Sequence, residues 1–171
     1  MKIVQGFCIL RIDIMHDKLI FYIDGASQGN PGPAGIGIIV CDEDDNVLQN
    51  ICEYIGENTN NVAEYTAFIY ALQEALIRKA ASVVVNTDSE LLVKQLNGEY
   101  KIKDEKIRQL FNQAKHLLKG FNIVDVNYIN RSKNKGADKL ATEAVDNAVK
   151  PNQTQKVAKF SFRNLPRQAI G

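Results

Sequence analysis

An α/β domain is the fold class that this 171-residue sequence predicts: a mixed five-stranded sheet, three antiparallel strands then two parallel ones, with helices on both faces. Three observations predict it. Early in the chain, apolar and polar residues alternate with period two between turn-forming clusters. At Asn61 the apolar period becomes that of a helix. Beyond it, short β-branched runs alternate with helical stretches.

Leu19–Asp24 puts Leu19, Phe21 and Ile23 on one face and Ile20, Tyr22 and Asp24 on the other, a strand with Asp24 at its end. Gly29–Gly35 is a Gly/Pro-rich turn, Ile36–Cys41 a second strand, Asp42–Asn46 another turn and Val47–Ile55 a third strand. Such short connections make a meander. From Asn61 to Lys79, Ala67, Ala71 and Ala75 recur at helical spacing beside Phe68, Leu72 and Leu76. Ser82–Val85 reads as a buried strand. Ser89–Leu96 is a short helix stopped by Asn97-Gly98, and Asp104–Leu118 a longer one ended by Lys119-Gly120. Phe121–Ile129 is the fifth strand and Asn134–Val149 the last helix, closed by Pro151. The chain thus divides into an N-terminal extension (1–18), one domain (19–150) and a C-terminal tail (151–171). The tail either adds an edge strand through Val157, Phe160 and Phe162 or stays disordered.

An apolar share of 45% and a charged share of 24% are those of an ordinary globular protein, so a chain of this length can bury a substantial core. Cys8, Cys41 and Cys52 are odd in number and lack ligand-like spacing, which argues against a disulfide framework and a zinc site. No apolar run reaches the roughly 18 residues of a membrane span. Arg11 and Asp13 interrupt the apolar stretch Ile3–Ile14, and no small-residue cleavage site follows, so the expectation is a cytoplasmic chain without a signal peptide. The net charge of +1 hides an asymmetry: 6 basic and 14 acidic residues through Glu99, net −8, against 15 basic and 6 acidic from Tyr100 on, net +9. That pattern hints at nucleic-acid contact.

Four carboxylates stand at telling places. Asp24 ends the first strand, Glu64 lies in the first turn of the first helix, Asp88 follows the fourth strand, and Asp138 falls in the first turn of the last helix. In an open α/β sheet, ligands gather where strand ends meet helix starts. Each carboxylate has a plain structural reading: Asn61-x-x-Glu64 matches a capping box, Asp88 suits a helix cap, and Asp138 suits the positive end of its helix. Asp24 is different, because a carboxylate in an apolar strand must find a partner. Four such groups together repel one another unless cations lie among them, and oxygen-only ligands without Cys or His favour Mg²⁺ or Mn²⁺ over zinc.

Asp24-Gly25-Ala26-Ser27-Gln28-Gly29-Asn30-Pro31-Gly32 resembles the opening motif of type 1 ribonucleases H, which have the ribonuclease H-like fold. Asn60-Asn61-Val62-Ala63-Glu64 is similar to their second motif, Thr87-Asp88-Ser89 to their third, and Arg131–Leu140, with Asn134, Ala137 and Asp138, to their fourth. The order is correct over roughly Leu19–Val149. The resemblance implies an endonuclease that cuts the RNA strand of RNA/DNA hybrids by a two-metal mechanism, leaving 5′-phosphate and 3′-hydroxyl ends. Two Mg²⁺ ions per site, with Mn²⁺ as substitute, would be held by Asp24, Glu64, Asp88 and Asp138: Asp24 bridging both, Glu64 and Asp88 completing one site, Asp138 the other. Gly25, Ser27, Asn30, Thr59, Asn60, Ser89, Arg131 and Asn134 match substrate-binding positions. RNA would be told from DNA by its 2′-hydroxyls, partly through backbone groups of the glycine-rich turn.

The chain also departs from the family pattern. Bacterial relatives often carry a histidine before the last Asp, but Arg131–Ala137 has none. The resemblance is greatest to the archaeal-like branch, and it implies that Arg131 takes part of that role, with the residue that replaces the histidine left open. His16 lies outside the core and His116 on an exposed helix face. Glu90 replaces a common glutamine, and Val62 stands where some members place a phosphate-binding arginine. With no tryptophan and only the short Gly98–Lys103 connection, the aromatic basic protrusion of some bacterial enzymes is missing. Lys101, Lys103 and Lys106, or Lys156, Lys159, Arg163 and Arg167 of the tail, are candidates for DNA-strand contact, although such charges also suit a solvated surface.

The competing reading is a non-catalytic nucleic-acid-binding module of the same fold. The four carboxylates argue against it, since a binder has no need to concentrate negative charge beside phosphates. The glycine-rich turn and the Asn60-Asn61 pair favour the hybrid nuclease over exonucleases or transposase-like enzymes of the wider superfamily. Gly35-Ile36-Gly37 lacks the spacing of a phosphate-binding fingerprint and precedes a strand, which excludes a nucleotide-binding protein. The expected partner is an RNA/DNA hybrid, with double-stranded RNA left open, no membrane, and a monomeric state.

Overall fold

The structure, a computed structural model, describes residues 17–149. Expectations for the N-terminal extension up to His16, for Cys8 and for the tail from Pro151 lie outside the described residues. Within them run β1 (Lys18–Ser27), β2 (Gly32–Cys41), β3 (Val47–Asn58), α1 (Asn60–Ile77), β4 (Ser82–Thr87), α2 (Glu90–Leu96), α3 (Glu105–Leu118), β5 (Ile123–Tyr128) and α4 (Lys135–Val149). The strands form one sheet in the order β3-β2-β1-β4-β5. The first three pair antiparallel, with Asp24 opposite Gly37, and β4 and β5 join β1 in parallel, with Ile23 opposite Thr87. The mixed five-stranded α/β architecture is the one the sequence predicts.

Strand alternation separates the two faces. Leu19, Phe21 and Ile23 of β1 and Ile36, Ile38 and Val40 of β2 point to one side, where they pack with Tyr65, Phe68 and Leu72 of α1 and Ile107 and Ala114 of α3. Burying each of these large apolar side chains contributes about 1.5–3 kcal/mol. The other face is covered by α4, whose buried residues are Ala137, Ala141, Ala144 and Val145. These side chains are small because the approach is close. A Cβ on Gly37 would stand 2.1 Å from the Ala137 carbonyl oxygen, and one on Gly35 2.7 Å from the Ala144 Cβ.

Element ends differ from the sequence reading for identifiable reasons. β1 runs past Asp24 to Ser27, because Gly25, Ala26 and Ser27 pair with Ile36, Gly35 and Ala34, so Asp24 lies inside the strand rather than at its end. Likewise β2 begins at Gly32, narrowing the turn, and β3 continues to Asn58 opposite it. Helix starts are set by side-chain caps just outside them: Thr59 accepts from the Val62 N–H, Ser89 from Leu92 and Asp104 from Ile107. Thr59 being the cap, the Asn61/Glu64 capping box does not form, and Glu64 falls just beyond the first turn of α1. Nor does Asp88 cap α2, since Ser89 does. A short 3-10 helix, Arg131–Lys133, precedes α4 and had no periodic signal.

Gly37→Ala is expected to destabilise the domain by about 1–3 kcal/mol in chemical denaturation, because backbone atoms of α4 cannot yield to the added methyl as a flexible side chain would. Unchanged stability would show that α4 does not rest directly on β2.

Candidate active site

The C-terminal end of β1, the start of α1, the end of β4 and the start of α4 meet around one open cleft of about 450 Å³. It is lined by Asp24, Gly25, Ala26, Ser27, Asn60, Glu64, Asp88, Tyr128, Arg131, Asp138 and Thr142. All four carboxylates singled out in the sequence therefore face a single space. Two glycines allow it. At Gly25 a Cβ would lie 2.3 Å from the Glu64 backbone nitrogen and 2.4 Å from the Ala63 carbonyl carbon, so α1 rests on β1 just where Glu64 begins its side chain. At Gly37, the partner of Asp24 across the β1–β2 ladder, the bare backbone admits the first turn of α4, which carries Asp138.

Asp24 is the most enclosed of the four, at 8% exposure. Burial, then the charges of Asp88 and Asp138 and, more weakly, Glu64, push its carboxyl up to about 8 against a smaller opposing bond from the Gly25 backbone. The other three are each held by donors. Glu64 accepts from Asn60 Nδ2 at 3.0 Å and from Ser89 Oγ at 2.5 Å. Burial raises its carboxyl and Asp88 adds to this, while the Ser89 and Asn60 bonds oppose the rise. Asp88 accepts from Asn134 Nδ2 at 2.7 Å, and Asp138 from Arg131 at 2.9 Å. The Arg131 side chain is 78% exposed, so this ion pair is solvated and its contribution to stability is small.

The residues matched to substrate positions fall into two groups. Gly25, Ser27, Asn60 and Arg131 line the cleft. Asn30, Thr59, Ser89 and Asn134 do not, and each is engaged by the protein itself. Asn30 Oδ1 accepts the Asn60 backbone N–H, Thr59 caps α1, and the Ser89 hydroxyl both caps α2 and donates to Glu64. Asn134 is buried beneath the cleft. Tyr128 and Thr142 line the cleft without having been singled out. Thr142 lies four residues after Asp138, a helical spacing that carries the signal, whereas Tyr128 depends on β5 lying beside β4. Between α2 and α3, Lys101 and Lys103 line a separate, smaller cleft, and Lys106, in the first turn of α3, donates to Asn58.

The donor chemistry suits a hard divalent cation: oxygen ligands only, and a buried carboxylate whose ionised form is opposed by its neighbours until positive charge arrives. Among the described residues, no three Asp, Glu, His or Cys side chains already form a ready cluster around one point. Glu64, Asp88 and Asp138 are turned instead to the amide, hydroxyl and guanidinium donors named above.

The chain resembles known proteins both in sequence and in fold. Residues 22–144 match a family model described as reverse transcriptase-like. A bifunctional protein of Mycobacterium tuberculosis is 39% identical over 132 residues, 77% of this chain and 36% of the relative. Ribonuclease HI of Halobacterium salinarum is 39% identical over 127 residues, 74% of this chain and 64% of the relative. The chain thus spans between about a third and two thirds of the length of these relatives. The crystal structure of LC11-RNase H1, isolated from compost and solved in complex with an RNA/DNA hybrid, superposes with a TM-score of 0.73 at 41% identity, covering 77% of this chain and 99% of that one. Four motifs in order, the observed sheet topology and relatives of this identity lead to one conclusion: the chain belongs to the type 1 ribonuclease H family.

Proposed function

We propose that this chain is an endonuclease that hydrolyses the RNA strand of RNA/DNA hybrids, dependent on Mg²⁺ and leaving 5′-phosphate and 3′-hydroxyl ends. The observation that carries the reading is the convergence of Asp24, Glu64, Asp88 and Asp138, from four separate elements, on one open cleft. Asp24 would hold both ions, Glu64 and Asp88 one of them and Asp138 the other. Bound there, the metal pair supplies an acidified attacking water and charge stabilisation at the departing 3′ oxygen.

The protein's own groups prepare that chemistry. The Asn60 amide and Ser89 hydroxyl fix the Glu64 carboxylate in the cleft. Arg131, hydrogen-bonded to Asp138 and exposed, offers a guanidinium at the place where the family resemblance puts a loop histidine in bacterial members. Its pKa is raised, first by that hydrogen bond and then by the charges of Asp138, Asp88 and Asp24, so it stays cationic beside a scissile phosphate. Ala26 and Ser27, half-buried along the cleft at the end of β1, offer backbone groups to ribose 2′-hydroxyls. LC11-RNase H1 binding an RNA/DNA hybrid supports the substrate class.

The deciding test offers labelled RNA/DNA hybrid, DNA duplex and double-stranded RNA in Mg²⁺ and in Mn²⁺. Cutting of the hybrid's RNA strand to 5′-phosphate ends, reduced to background by Asp24→Asn, is expected. A hybrid bound but left intact with either metal establishes the binding module instead.

The burial of Asp24, and after it the charges of its neighbours, also has a thermodynamic signature. The ordinary Asp value is 3.8 and the folded value about 8, so between those pH values the metal-free folded chain keeps a proton that the unfolded chain has released. Stability from this group therefore falls as pH rises through that window. Metal-free Asp24→Asn, which cannot titrate, is expected to melt above the wild type at pH 8 by several degrees, on the order of 2–4 °C per kcal/mol gained. The gap should close towards pH 4 and shrink when Mg²⁺ is added. Equal melting temperatures at pH 8 would mean that neither burial nor the neighbouring carboxylates oppose the Asp24 charge.

A further inference from the structure

Asn134 joins the 3-10 helix to α4 and is 1% exposed. Its Nδ2 donates at 2.9 Å to the carbonyl oxygen of Ile23, the residue before Asp24, and at 2.7 Å to Asp88 Oδ1. A side-chain amide has two N–H groups, and these two bonds use both. Because each partner is an acceptor, the orientation of the amide is fixed: the nitrogen must face them. Its backbone adds two more ties. The N–H bonds to the Arg131 carbonyl, and its own carbonyl accepts the N–H of Asp138. One residue is thereby bound to the Asp88 carboxylate, to the peptide preceding Asp24 and to the backbone of Asp138.

The remaining atom of the amide shows what the arrangement is for. Asn134 Oδ1 is buried without a hydrogen-bond partner among the described residues. The two bonds that the amide does make go to the end of β1 and to Asp88, not to its own loop. Unpartnered polar atoms and similar sacrifices of stability gather where function demands a fixed geometry. Here the fixed geometry is that of Asp88 relative to the strand end that carries Asp24: one amide nitrogen ties the Asp88 carboxylate, at 2.7 Å, to the peptide preceding Asp24, at 2.9 Å.

We propose that Asn134 is a positioning residue of the carboxylate cluster, clamping Asp88 to the end of β1 so that Asp24 and Asp88 share a divalent cation. It does not touch substrate, being buried, and acts only through Asp88 and the backbone beside Asp24. The inference deepens the nuclease reading and rests on it for the identity of the metal.

The test uses the full chain, wild type beside Asn134→Ala and the similarly sized Asn134→Leu, which fills the volume and removes the donor. Mg²⁺ binding is measured calorimetrically without nucleic acid, hybrid cleavage is resolved into kcat and KM, and circular dichroism reports folding. Both variants should bind Mg²⁺ roughly tenfold or more weakly, as the loss of a charge-assisted hydrogen bond entails. Their kcat at limiting Mg²⁺ should fall by a similar factor and recover as Mg²⁺ is raised, with KM for the hybrid unchanged. Unchanged Mg²⁺ affinity overturns the clamp, as does a raised KM at constant kcat, which would make Asn134 a substrate contact. Failure of both variants to fold assigns the residue to the fold alone and also overturns it. A wild-type chain that binds Mg²⁺ but leaves the hybrid intact sinks the nuclease reading, while weaker Mg²⁺ binding in the variants still upholds the clamp. A wild-type chain that binds no Mg²⁺ overturns both.

Discussion

Two helices lie on bare backbone, and most of what is distinctive here depends on that contact. At Gly25 the start of α1 rests on β1, and at Gly37 the start of α4 rests on β2, at separations that any side chain would fill. Helix–sheet packing through large side chains would hold the helix axes several ångströms further out. Glu64 and Asp138 would then stand away from Asp24 instead of lining the same cleft. The same requirement explains the alanines on the buried face of α4, where larger residues would lift the helix.

Bringing the carboxylates together works against the fold. Asp24 is driven well above the ordinary carboxylate range by burial and by its neighbours, and the surrounding donors are arranged to limit the damage. Asn60 and Ser89 neutralise part of the field at Glu64, Asn134 holds Asp88, and Arg131 faces Asp138. These partners come from loop ends and helix caps, where side chains are already needed to satisfy free backbone groups. Ser89 shows the economy of this: one hydroxyl accepts the Leu92 N–H to start α2 and donates to Glu64 to fix the site. The rest of the α1–α2 junction is tied by the buried bond from Tyr65 to Gln95.

The loop before α4 carries the Arg131 guanidinium and no imidazole. A guanidinium stays charged at every physiological pH, so Arg131 pairs with Asp138 but cannot shuttle a proton as an imidazole does. Lys101 and Lys103 edge a small cleft, and Lys106 is spent on Asn58.

By itself the sequence determined the element order, the sheet class and the four carboxylates. Strand and helix periods are local properties, and Asp24 is conspicuous because an ionisable group interrupts an apolar strand. Element ends were less legible. Side chains such as Thr59 and Asp104 cap from just outside their helices, and β1 reaches Ser27 only because Ala34–Ile36 lie opposite. Tertiary structure alone decided which side chain serves which neighbour. Glu64 reads as half of a capping box until Asn60 and Ser89 are seen to claim it. Asn134 reads as one more polar residue of a motif until it is found buried against Ile23 and Asp88, 111 and 46 residues away. The physical reason is that hydrogen bonds and charge repulsion act between groups that packing brings together, and no local spacing encodes which distant strand end a loop residue will meet.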